Sequence, residues 1–175
     1  MSLALTIFTI VHVTISLIGI FSGFVVLAGL LTARRFDGWT AIFLTSTVLT
    51  SVTGFFFPVH HFMPSHGVGI LSLLVLSISL YARYGRNLAG HWRWGYVVTT
   101  MLAFYFNVFV FVLVAQLFAK VPALKALAPT QTEPPFGITQ LAVLLIFVAL
   151  TIAATRRFHT ASASAPILRP AVTSA

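Results

Sequence analysis

LALTIFTIVHVTISLIGIFSGFVVLAGLL, residues Leu3–Leu31, contains no Lys, Arg, Asp or Glu, and its one titratable side chain is His12. The run far exceeds the ~20 apolar residues that carry a helix across a hydrocarbon core. It is also much longer than the 7–15-residue core of a signal peptide, and no basic residue precedes it, so it reads as a retained first membrane helix. The rest of the chain agrees. It is 59% hydrophobic and 7% charged, with a mean hydropathy of +1.04, whereas soluble domains carry about 25% charged residues. Composition alone makes this an integral membrane protein. Its formal charge of +8 comes from cations between and beyond apolar spans, where orientation in a bilayer accounts for them and nucleic acid need not be a partner.

Hydropathy divides the chain into five predicted spans, at about 5–31, 39–57, 67–84, 94–119 and 138–155, within one transmembrane domain of residues 1–158. The expected fold class is therefore all-α, a five-helix membrane bundle. The tail, 159–175, is rich in Ala, Ser and Pro and is expected to be disordered. In the connector between the last two spans, 122–128 reads as a short amphipathic piece and the Pro-rich segment after it as extended chain. Arg34, Arg35, Arg83, Arg86, Arg93, Arg156, Arg157 and Arg169 all fall on one side of this arrangement, against Lys120 and Lys125 on the other. The positive-inside rule then puts the amino terminus outside and the carboxyl terminus in the cytoplasm. Trp39, Trp92, Trp94, Tyr81, Tyr84 and Tyr96 gather at the same arginine-bearing boundary, as interfacial aromatics do. Asp37 lies beside Arg34 and Arg35, where a solvated ion pair or a helix N-cap would explain it.

The opposite boundary carries the chemistry. Phe57-Pro58-Val59-His60-His61-Phe62-Met63-Pro64-Ser65-His66 places three of six histidines in one short connector without a single charged residue. His12 lies about two turns into the first span, on the same side, and Glu133 approaches from the last connector. With no cysteine in the chain, disulfides, iron–sulfur clusters, thiolate zinc and covalently attached c-type haem are excluded, so ligation would rest on His, Met and carboxylate. Three chemistries fit. Haem b would use His12 with His61 or His66 as axial imidazoles. Copper would use His60, His61, Met63 and His66, since imidazole and thioether suit it. Zinc would accept three of these imidazoles with Glu133. In the plainer reading the loop histidines are interfacial, His66 caps a helix and His12 makes one interhelical hydrogen bond.

His12, Ser16, Gly19 and Gly23 follow 4-3-4 spacing and share one stripe, and Gly19 and Gly23 form a G-x-x-x-G that permits close helix approach. His12 is expected to face protein, and the two glycines are candidate contacts for a membrane partner or a second copy of the chain. Asn107, deep in the fourth span, is expected to make an interhelical hydrogen bond. The phenylalanine-rich run from Phe104 is ordinary lipid- or core-facing material before it is a cofactor surface.

Leu80-Tyr81-Ala82-Arg83-Tyr84, Gly90-His91-Trp92-Arg93-Trp94, and the connector from Val121-Pro122-Ala123-Leu124 to Glu133-Pro134-Pro135-Phe136 resemble a family of small multi-span bacterial inner-membrane proteins. The resemblance spans residues 66–158. It implies a bacterial inner membrane and brings no activity, cofactor or catalytic residues with it. Two acidic residues in the whole chain leave nothing for paired acid–base catalysis, and no phosphate loop or nucleophile triad occurs. The expected function is haem or metal binding at the extracytoplasmic face, for electron transfer or metal handling. The alternative is a non-catalytic accessory or assembly subunit of a larger membrane complex.

Overall fold

The computed structural model describes residues 2–58, 64–109, 121–130 and 133–163. These are almost wholly helical, without strands. Helix α1 covers Leu3–Leu31, α2 Asp37–Gly54, α3 Pro64–Leu80 with a π-helical turn over Tyr81–Gly85, and α4 Trp92–Val108; a short α5 covers Pro122–Leu127, and α6 Pro134–Ala163. Three segments, Leu3–Leu31, His66–Gly85 and Pro134–Phe158, are long and apolar enough to cross a membrane. Helix α2 is less apolar because seven of its residues are Ser or Thr, and α4 is described over 17 residues.

Local sequence explains where these helices begin and end. Ser2 caps α1 by accepting a hydrogen bond from the Leu5 amide at 3.4 Å. At the other end Ala33 takes a left-handed conformation (φ 56°), so that the Arg34 amide reaches back to the Gly29 carbonyl at 2.8 Å. Glycine is the usual residue in this cap; alanine holds it at a cost of about 1 kcal/mol. Two segments differ from their sequence expectations. Pro134 and Pro135 begin α6 and do not prolong an extended segment, because a proline in the first turn lacks only an amide that the helix would leave unpaired. The same helix passes through Arg156 and Arg157 to Ala163: hydropathy stops at the arginines, but backbone hydrogen bonding does not.

Consecutive helices alternate in direction. Ser16 meets Thr50, Ser51 meets Ser72, and Ser79 meets Thr100, pairs that run start-to-end between α1 and α2, α2 and α3, and α3 and α4. Helix α1 also packs on α4, closing a ring of four, and α6 lies against α1 and α4. At the centre, Phe104 is buried among Phe24, Phe43 and Phe147, with ring centroids 5.0, 5.9 and 5.3 Å away. Gly23 admits it: a Cβ there would lie 2.5 Å from the Phe104 ring. One turn earlier, a Cβ on Gly19 would lie 2.8 Å from Asn107 Nδ2, which donates to Thr47 Oγ1 at 3.4 Å. The G-x-x-x-G face is thus buried against α4 of the same chain, and a second chain could use these glycines only by displacing that helix.

Several buried hydroxyls answer their own helix. Ser22, Thr40 and Ser46 donate to the carbonyls of Ile18, Phe36 and Ile42 at 2.6–2.9 Å. This is how a serine or threonine enters an apolar interior without leaving a donor unpaired. Ser16 with Thr50, Ser51 with Ser72 and Ser79 with Thr100 instead join neighbouring helices.

Candidate functional site at the histidine end

Alternation brings the start of α1, the end of α2 and the starts of α3 and α6 to one end of the bundle. His12, His66 and Glu133 lie there. His60, His61 and Met63 belong to the connector between α2 and α3 and lie outside the described residues.

His12 is half-buried against the last turns of α2. Its Nδ1 is 2.7 Å from Thr53 Oγ1, and its ring meets Phe57 edge-on at 5.0 Å. Thr53 Oγ1 is also 2.7 Å from the Leu49 carbonyl, which can only accept and can take the hydroxyl hydrogen. In that arrangement the hydroxyl oxygen accepts from His12, with the proton on Nδ1 and the lone pair on Nε2. Metal-binding imidazoles are commonly fixed in this way, by a hydrogen bond at one nitrogen that leaves the other as the ligand.

His66 stands on the other side of α2. Its ring stacks on Phe55 with centroids 5.6 Å apart and planes at 27°. Phe55 can lie flat against α3 because Gly69 has no side chain; a Cβ there would be 3.1 Å from Phe55 Cζ. On α2, Thr53 meets His12 of α1 and Ser51 meets Ser72 of α3 from the opposite face, and the C-cap Phe55 continues on the α3 side. The two described imidazoles are therefore divided by the terminal turn of α2, and a haem clamped axially between His12 and His66 would require that turn to move. Pairings that include His61 involve the undescribed connector.

Glu133 is occupied locally. Its Oε1 accepts from the Thr130 amide at 3.1 Å and the Thr130 hydroxyl at 2.8 Å, closing the turn before α6. Among the described residues no three of His, Asp and Glu come together as a metal-holding group. Sequence reasoning missed Thr53, Phe55 and Phe57; the signal within α2 was Ser51 and Thr53, two residues apart and so on opposite faces of the helix.

The opposite end gathers Arg34, Arg35, Arg83, Arg86, Arg93, Arg156 and Arg157. Asp37 pairs with Arg83, not with its sequence neighbours, and the N-cap of α2 is Phe36. Arg83 also donates to the Tyr96 hydroxyl at 3.1 Å and lies over the Tyr96 and Tyr84 rings at 5.4 and 5.7 Å. No protein-family model, curated protein or solved structure matches this chain.

Proposed function

We propose that this is a five-crossing protein of a bacterial inner membrane, amino terminus outside, whose histidine-bearing end binds a transition-metal ion through imidazole nitrogens, for metal handling or electron transfer. The carrying observation is the His12–Thr53 hydrogen bond at 2.7 Å, which fixes the ring and leaves Nε2 as a ligand atom. The connector contributes His60, His61 and Met63, with His66 at its far end, a set of soft and borderline donors that suits copper and, with Glu133, zinc. A bare ion fits this end better than haem b, because haem held axially between His12 and His66 would require the end of α2 to move, whereas an ion needs only a subset of these donors. The five crossings are supported by the alternating helix directions, and the orientation by the arginines gathered at the other end.

The test is elemental analysis and an absorption spectrum of the purified full-length protein after supply of copper, zinc or haem. The expected result is stoichiometric metal without a Soret band, lost in a His60→Ala/His61→Ala variant, weakened in His12→Ala, and falling as pH drops toward ~6.5, where protons compete for the imidazoles. A Soret band that His12→Ala or His66→Ala removes would instead assign haem. Protein that takes up neither, with all histidine variants behaving like wild type, would leave the accessory-subunit reading.

A further inference from the structure

The arginine end contains a narrow crevice, open to the surface, between the end of α1 and the starts of α2 and α4. Arg34, Arg35 and Arg83 line it together with the Thr40 and Tyr96 hydroxyls. The rest of its wall is apolar and includes Leu30, Phe36 and Phe158. Arg93 adds a fourth guanidinium behind that wall, over the Phe158 ring at 5.6 Å.

Among the described residues the acidic side chains do not balance the charge around this crevice. The sequence has two acidic side chains. Asp37 is committed to Arg83. Glu133 lies at the other end of α6, about 37 Å from Phe158 along the helix. Arg34 and Arg35 are thus left facing the crevice with two positive charges and no carboxylate to meet them. Arg83 is held in place: its side chain is only 9% exposed, with Tyr96 and Tyr84 packed round it. A fixed guanidinium and two exposed ones at one mouth can offer paired N–H donors to several oxygens of a single tetrahedral anion, a geometry that lysine does not supply.

We infer that this crevice binds a phosphate-bearing anion, and that its source is the headgroup of an anionic glycerophospholipid whose chains run along the apolar wall. The shared chemistry, a phosphate oxygen shell gripped by guanidinium, would also serve a soluble phosphate. The apolar wall and the exposed belt of Trp39, Tyr81, Tyr84 and Trp94 beside it favour the lipid, since such rings settle at headgroup depth. This inference is independent of metal binding at the other end.

Native mass spectrometry of the full-length protein in a neutral detergent, with phosphatidylglycerol and phosphatidylcholine added in equal amounts, tests it. Phosphatidylglycerol adducts should dominate. An Arg34→Gln/Arg35→Gln variant should lose about thirtyfold in phosphatidylglycerol affinity, at roughly fivefold per arginine, while Lys120→Gln/Lys125→Gln, which removes the same charge elsewhere, should keep it. Both arginines are exposed, so folding is not at stake, and Arg34→Lys/Arg35→Lys should recover part of the affinity through charge alone. Displacement of the lipid by inorganic phosphate at equal concentration would assign a soluble phosphate as the source and overturn the lipid assignment. No preference for phosphatidylglycerol, or equal losses in the arginine and lysine variants, would overturn the site itself.

Discussion

The two ends of this bundle solve the same problem with different chemistry. At one end Arg83, a permanent cation, is drawn in among helices and needs a carboxylate, a phenol and two aromatic faces to remain there. At the other, His12 is half-buried with one threonine hydroxyl and one ring edge. A guanidinium cannot shed its charge, whereas an imidazole enters neutral and needs a single acceptor. The difference teaches where reversible chemistry can sit. The arginine end is built for a lasting electrostatic match, and the histidine end keeps a nitrogen lone pair that a metal or a proton can take and release.

The largest effect expected is all-or-none. If the ends face opposite sides of a membrane, single cysteines at Ser65 and Thr132 should react with an impermeant thiol reagent in cells opened only at the outer membrane, and one at Gly38 should not. Gly38 suits the purpose because a side chain there meets nothing within 4 Å. Reaction at Gly38 with protection of Ser65 would reverse the assignment and bring the histidine end to the cytoplasm.

The comparison also requires that both ends be held in register by the seam between α1 and α4. Gly23→Ala sets a methyl group 2.5 Å from the buried Phe104 ring and should destabilise the bundle by about 2 kcal/mol despite alanine's better helix propensity. Gly67→Ala, on α3 at the histidine end, meets nothing within 4 Å and should be neutral or stabilising by up to about 1 kcal/mol. Detergent-titrated unfolding of the two variants decides it. Equal responses would mean that the seam does not bear on stability.

Much of this was legible from residue spacing. The stripe through His12, Ser16, Gly19 and Gly23 does turn inward, and Asn107 does bond across helices. Spacing within one helix is local, and a helix repeats faithfully. What lay outside its reach was the partner. Nothing in Gly19 and Gly23 says whether the approaching surface belongs to another chain or to Phe104 and Asn107, more than eighty residues on. Likewise Asp37 takes Arg83, across 46 positions, a partner that the spacing around Asp37 does not reveal. The division of the imidazoles followed from the 100° step of α2, readable only once α1 and α3 were known to flank it on two faces.

A smaller effect separates the members of the ion pair. The Asp37 side chain is 75% exposed and that of Arg83 9%. Asp37→Asn leaves a largely enclosed cation without its carboxylate, while Arg83→Gln leaves a carboxylate that water already solvates. Asp37→Asn should therefore cost about 1–2 kcal/mol, toward the lower part of the range for a broken buried pair because one partner is so exposed. Arg83→Gln should cost about 1 kcal/mol, chiefly through the lost Tyr96 contact. The double variant should cost less than the two singles together. Strict additivity in a double-mutant cycle would reduce the pair to a surface contact and remove the contrast between the ends.

The smallest effect is the one on which the histidine end depends. If the His12–Thr53 bond mainly orients the imidazole, its contribution to folding should resemble other side-chain hydrogen bonds between membrane helices, about 0.6 kcal/mol of coupling in a cycle of His12→Ala and Thr53→Val. Thr53→Val keeps the shape and removes only the acceptor, so the bundle should unfold at nearly the wild-type detergent concentration. Metal affinity should nevertheless fall about 10- to 100-fold, as it does when a ligand histidine loses the partner that fixes its tautomer. Thr53→Ser, which restores the hydroxyl, should recover it. This separation of a slight structural loss from a large binding loss is what a purely structural hydrogen bond would not produce. A Thr53→Val protein with unaltered metal affinity would show that His12 only joins α1 to α2, and the lone pair on Nε2 would then have no part in the chemistry of this end.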